Sequence, residues 1–165
     1  NFFTPFRVYI DIMANPKKVE ILNRKAAHEY FLDVHLEAGI ELLGTEIKSI
    51  RAGEVNLRDA YCSFRNGELF VRSMFIAEYK FGNQFNHEPR RERRLLLRKQ
   101  ELKKLLKKVK EKGNTIVPYK LYMTDRGFAK LEIALASGKK SHDKRNSIKE
   151  KDQKRDLDRM KKGQY

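Results

Sequence analysis

The sequence predicts a mainly β protein with flanking helices: a small, closed, antiparallel, OB-like β-barrel followed by a basic C-terminal arm without structure of its own. Three observations carry that prediction. Ala129, Leu131, Ile133 and Leu135 alternate with Lys130, Glu132, Ala134 and Ala136, the two-residue period of a strand with one face in a core. Asn66-Gly67 and Asp125-Arg126-Gly127 each sit between strand-like runs, as hairpin turns do. After Gly138 the apolar pattern stops, and Lys139 to Tyr165 holds only Ile148, Leu157, Met160 and Tyr165 as large apolar residues.

The elements follow in chain order. Met13-Ala14-Asn15-Pro16-Lys17-Lys18 reads like a natural start, so residues 1–12 are expected to precede the native protein and 1–18 to be an extension outside the fold. Tyr30, Leu32, Val34 and Leu36 alternate with Phe31, Asp33, His35 and Glu37, giving a strand expected to bend at Ala38-Gly39 and resume through Leu43. Ile47 and Ile50, three apart and followed by Gly53, fit a short helix over Gly44 to Arg51. Val55 to Phe64 and Glu68 to Ile76 form the first hairpin. In the basic block Leu102, Leu105, Leu106 and Val109 fall at i, i+3, i+4 and i+7, so a helix over 98–112 buries one stripe and exposes its lysines. Thr115 to Met123 and Phe128 to Ala136 form the second hairpin. The domain reading is therefore an extension over 1–18, a barrel over 19–138 with an inserted basic helix, and an arm over 139–165.

Charge narrows the function. The 165 residues carry 37 Lys/Arg against 22 Asp/Glu, a net charge of +15, with a mean hydropathy of -0.73. Arg90 to Lys112 holds twelve basic residues against three acidic, and Lys139 to Tyr165 eleven against five, so the rest of the chain is balanced. Charge confined to two segments is the footprint of a polyanionic partner. The single cysteine, Cys62, excludes an internal disulfide and reads as a core residue. His28, His35, His87 and His142 are scattered without metal-ligand spacing, and no phosphate-cradling glycine loop is present. No catalytic constellation and no cofactor or metal is expected. No run reaches the ~18 apolar residues needed to cross a bilayer, and a cytoplasmic location is the default.

For RNA there are three supports: the basic helix, which fits a phosphate backbone; strand aromatics Tyr30, Phe31, Tyr61 and Phe64, which suit base stacking where they are not core; and the arm, whose Glu150/Lys154 and Asp158/Lys162 spacings favour a helix once a partner is present. The alternative reading is a general structured-RNA-binding barrel, such as a ribosomal or RNA-chaperone protein.

Asn23-Arg24-Lys25-Ala26, His28-Glu29-Tyr30, Glu37-Ala38-Gly39-Ile40, Gly44 through Arg51, Leu95-Leu96-Leu97 and Gly138 through Arg145 occur in an order that resembles the SsrA-binding protein (small protein B) family over residues 20–162. The resemblance implies a monomeric bacterial RNA-binding protein, not an enzyme, that binds the tRNA-like domain of transfer-messenger RNA and delivers it to stalled ribosomes for trans-translation. By position it implies RNA contacts at Tyr30, Glu37, Leu96, Arg98, Lys139 and Lys140, Arg98 standing where the family usually has asparagine. It implies that His142 lies near the ribosomal decoding centre, and that Asp143, Lys144, Arg145, Arg159, Met160 and Lys161 enter the empty message channel, the arm being disordered until bound there.

Overall fold

The structure is a computed structural model that describes residues 19–111 and 113–162; the expected extension over 1–18 and native start at Met13 lie outside the described residues. Its order is β1 (Glu20–Leu22), α1 (Arg24–Glu29), β2 (Tyr30–Ile40), α2 (Gly44–Arg51), β3 (Val55–Asn56), β4 (Tyr61–Arg65), β5 (Glu68–Arg72), β6 (Phe75–Ile76), β7 (Arg93–Leu96), α3 (Lys99–Val109), β8 (Asn114–Met123), β9 (Ala129–Gly138) and α4 (Ser141–Lys162). It is mainly β with flanking helices. Seven strands pair antiparallel in the order β1-β8-β4-β5-β7-β2-β9, and β9 also pairs along β8.

The inward alternation of each strand builds one core: Ala38 of β2, Leu69 and Val71 of β5, Leu95 of β7, Ile116 and Leu121 of β8, and Leu131 and Ile133 of β9 are all buried. Ile50 of α2 and Leu105 of α3 are buried in the same cluster, and Leu102 and Val109 pack on it, as the helical spacing predicts. Cys62 lies in that core, and burial pushes its thiol up, out of the reactive range. On the outer side, Ala26 of α1 covers Val117 and Ala136, with Tyr30 and Leu32 against them. Asn23 fixes α1: its side chain accepts the Ala26 N–H at 3.1 Å and donates to the Leu57 and Pro118 carbonyls at 2.9 and 3.0 Å.

Both hairpins form where the turn residues place them, Arg65 facing Glu68 across Asn66-Gly67, and Met123 facing Ala129. Three strand expectations need correction. The bend in β2 is at Asp33–His35 rather than Ala38-Gly39: Val34 is an extra residue in the ladder, held at φ 26° with its N–H donated to the Asp33 carboxylate. Gly39 is instead a close approach, since a Cβ there would stand 3.2 Å from Cβ of Leu96 on the neighbouring strand. Val55 to Phe64 is broken, because Leu57 and Ala60 both turn inward and the chain reverses between them, with Ala60 N–H bonded to Leu57 O. Glu68 to Ile76 is likewise split at Ser73, which takes φ 57°.

Where the sequence predicts an arm without structure, Ser141–Lys162 is a helix that leaves Ile148, Leu157 and Met160 46, 58 and 67% exposed. Two of its ion pairs, Asp152–Arg155 and Asp156–Arg159, are three residues apart, at 3.7 and 3.6 Å; the expected Glu150/Lys154 pair does not form, and the Lys162 side chain of the other expected pair lies outside the described residues. Gly138 is the last paired residue of β9, opposite Tyr30. The root of α4 is tied down by Lys139, whose N–H donates to Glu29 O and whose Nζ lies 3.2 Å from both Ala27 O and Ser147 Oγ.

Candidate nucleic-acid interface

The outward side chains of β8, β9 and β2 form a polar lattice. Glu37 accepts a hydrogen bond from the Tyr122 hydroxyl and pairs with Lys130 Nζ at 3.1 Å. Further along the same face, Glu132 meets His35 Nδ1 at 2.8 Å and Lys120 Nζ at 3.5 Å. The Tyr122 hydrogen bond, with Lys130 behind it, holds the Glu37 carboxyl below the usual carboxylate range, and the same bond pushes the Tyr122 phenol up to about 12. Glu37 is thereby fixed as an ionised acceptor with half its side chain in water.

Beside it runs a groove lined by Glu37, Gly39, Leu96, Leu97, Arg98, Glu101 and Lys130. Four elements converge there, β9 supplying Lys130. β2 supplies Glu37, β7 supplies Leu96, which alternation turns outward so that it is 49% exposed, and the N-terminus of α3 supplies Arg98, whose N–H donates to the Glu101 carboxylate at 2.8 Å. The absence of a side chain at Gly39 is what lets Leu96 sit against β2. An ionised acceptor, an exposed aliphatic surface and an arginine in one groove suit a base edge, a base or ribose face, and a phosphate. Lys103, Lys104, Lys107 and Lys110 are exposed along α3.

Of the other expected contact residues, Tyr30 is not part of this groove. It lies seven residues from Glu37 on the same strand, roughly 23 Å away, and faces a separate pocket with Lys25, Arg58, Asp59 and Tyr61. Lys139 stands 5.1 Å over the half-exposed ring of Phe31 while anchoring the arm, and Lys140 is exposed beside it, its N–H donated to Asp143. His142 is exposed 3.1 Å from Asp143, Lys144 is half-buried, and Arg145, Arg159, Met160 and Lys161 are exposed along α4. Tyr122 and Lys130 escape sequence reasoning because they reach Glu37 only through strand register, 85 and 93 positions along the chain. Among the described residues, no group of His, Cys, Asp and Glu could hold a metal, and no helix is long and apolar enough to cross a membrane.

The family model for SmpB protein matches residues 20–163. SsrA-binding proteins from Flavobacterium psychrophilum and Phocaeicola vulgatus are 54% and 53% identical over 146 residues, each match covering 88% of this chain and 97% of the relative. That of Flavobacterium johnsoniae is 56% identical over the same lengths. A chain of the solved structure described as "tmRNA-SmpB: a journey to the center of the bacterial ribosome" superposes with a TM-score of 0.65 at 44% identity, covering 79% of this chain and 94% of that one.

Proposed function

The chain belongs to the SmpB protein family, and from that premise we propose that it binds the tRNA-like domain of transfer-messenger RNA through the Glu37–Leu96–Arg98 groove and delivers it to stalled ribosomes in the bacterial cytoplasm. It acts by binding, not by catalysis. Glu37 accepts from a base or ribose donor, Leu96 packs on a sugar or base face, and Arg98 takes a phosphate or stacks, a role asparagine would not fill in the same way. Tyr30 makes a second, separate contact beside Lys25 and Arg58, and the lysines of α3 supply sequence-independent attraction. The sheet works as a closed OB-like barrel, a reading supported by the pairing of β9 with both β2 and β8.

The arm, from Lys139 onward, is the ribosome-facing part. Its apolar stripe is too thin to offset a backbone ordering cost of ~1–2 kcal/mol per residue, so α4 is stable only when docked. His142 stacks on a decoding-centre base, and Asp143, Lys144, Arg145, Arg159, Met160 and Lys161 line the message channel. An arm that folds only in an empty, anionic channel distinguishes a ribosome without a codon from one that still holds message.

The observation that carries this reading is the convergence of Glu37, Leu96 and Arg98 from three elements into one groove. Titration of the full-length protein with a tRNA-like transcript and with an unrelated structured RNA of equal length tests it. Glu37→Ala should weaken only the former, whereas a Lys103/Lys107/Lys110 alanine triple variant should weaken both and flatten the log–log salt slope by ~0.7–0.9 for each phosphate no longer neutralised. Unchanged binding by Glu37→Ala would overturn the assignment of the groove.

A further inference from the structure

The segment between β6 and β7, residues 77–92, is absorbed by neither the groove nor the arm. Its backbone is over-determined. Asn86 closes it from inside, accepting the Tyr79 N–H at 3.0 Å and donating to Tyr79 O at 2.7 Å. Gly82 N–H donates to Tyr79 O and Phe85 N–H to Gly82 O, making a tight turn at Asn83–Phe85. A side chain at position 82 would stand 2.7 Å from Asn86 Nδ2, so it would have to displace the amide that closes the loop. At its base His87 is buried between Thr45 Oγ1, at 2.9 Å, and Ile76 O, at 3.0 Å.

This pinned loop presents Phe81 and Phe85 77% and 82% exposed, the two most exposed large apolar side chains among the described residues. Tyr79 meets the Phe81 ring edge-on at 5.5 Å and carries Lys48 Nζ 4.9 Å over its own face. Between the two phenylalanines stand the exposed amides of Asn83 and Gln84. No aliphatic side chain of the loop joins the rings at the surface, so the apolar offering is flat. The charges of Glu78, Lys80, Glu88 and Arg90 balance, so the loop itself adds no net attraction for a polyanion.

We propose that this loop is a second RNA contact, a stacking platform on which Phe81 and Phe85 take unpaired bases while Asn83 and Gln84 meet the base edges. Flat rings interleaved with amides fit a base better than they fit the mixed aliphatic surface of a protein partner, and the +15 charge of the chain draws the polyanion in. The inference rests on the RNA-binding reading above but uses different residues: no residue of the loop lines the Glu37 groove.

The test is anisotropy titration of the full-length protein with a ten-nucleotide single-stranded RNA and with a hairpin duplex of the same composition, at two salt concentrations. Phe81→Ala and Phe85→Ala should each weaken the single strand by roughly tenfold, leave the duplex unaffected, and keep the log–log salt slope unchanged. Phe→Trp should retain binding, and Phe→Leu should lose it as Ala does. Single-strand affinity unchanged in the alanine variants overturns the platform; so does Phe→Leu restoring ribosome binding that alanine loses, which would mark a protein-docking loop. Selective binding of the tRNA-like transcript by the same alanine variants shows that only the platform has failed, whereas its absence in the unaltered protein removes the earlier reading too.

Discussion

The body and the arm use the same two chemical groups in opposite ways. In the body, Glu46 of α2 meets Arg93 of β7 at 2.7 Å with both side chains fully buried, and Arg91 adds two further bonds to the same carboxylate at 2.8 and 2.6 Å. Arg93 also donates to the carbonyls of Met74, Arg91 and Pro89, and Glu46 accepts the Leu43 N–H. In the arm, Asp152 and Arg155 stand 3.7 Å apart with most of both side chains in water. The buried network cannot exchange its partners for solvent without a large desolvation cost, so it fixes the relation of α2 to β6 and β7. The exposed pair can, so it fixes nothing. Buried ion pairs specify geometry in the body, while the exposed ion pairs of the arm specify none.

The largest effect that would sharpen this contrast comes from removing the arm. Truncation after Lys140, which keeps the Lys139 anchor, should abolish tagging in a reconstituted translation assay on message lacking a stop codon, while thermal unfolding and binding of the tRNA-like RNA change little. Full tagging by the truncated protein would break the contrast and favour a general RNA-binding role. Next in size, Arg93→Leu leaves the buried Glu46 with Arg91 as its remaining guanidinium partner and should cost on the order of 3 kcal/mol in urea denaturation, whereas Arg155→Ala should leave the midpoint unmoved. A mobile free arm also predicts sharp, poorly dispersed amide resonances for Lys149 to Lys161; strong protection there from hydrogen exchange would contradict it.

Acid should act on the body more gradually. Burial raises the Glu46 carboxyl, but the bonds from Arg91, Leu43 N–H and Arg93 outweigh it and hold the group below its ordinary value of 4.5. A depressed folded value stabilises the native state above the unfolded one, so that contribution should be present at neutral pH and fade as pH falls below about 4.5. Glu46→Gln should start from a lower midpoint and lose this acid dependence. The smallest effect belongs to the groove: Tyr122→Phe should cost a few-fold in tRNA-like RNA affinity without unfolding the protein. In NMR titration Tyr122 should stay protonated at pH 11, and Glu37→Gln should bring it back toward 10.

What was legible in the sequence follows from which forces are local. The Asn66-Gly67 turn and the spacing of Ile47, Ile50 and Gly53 name their own structures, and the hairpin and α2 lie where those residues put them. β7 was hidden because Arg93-Arg94 reads as part of a basic block, and nothing in the neighbouring residues tells that Arg93 is drawn inward by a glutamate 47 positions earlier. β1 and α1, of three and six residues, are too short to show a period and are held by Asn23 and the edge of β8. The bulge at Val34 carries no glycine to announce it. Glu37, Leu96 and Arg98 were reached through family resemblance alone, since only strand register brings them together.

The anchored root of α4 turns its length into a measuring rod. Lys139 is bonded to the end of α1 through both its backbone N–H and its ammonium group, so the arm starts from a fixed point on the body. Its 22 residues, when docked, then reach about 33 Å. Deleting a single residue near Lys149 would rotate Leu157, Arg159 and Met160 by ~100° about the axis, whereas deleting a full turn would preserve their phase and shorten the reach by about 5 Å. Calibration of phase and reach, rather than affinity, is then what the arm's sequence has to maintain between its root and its tip.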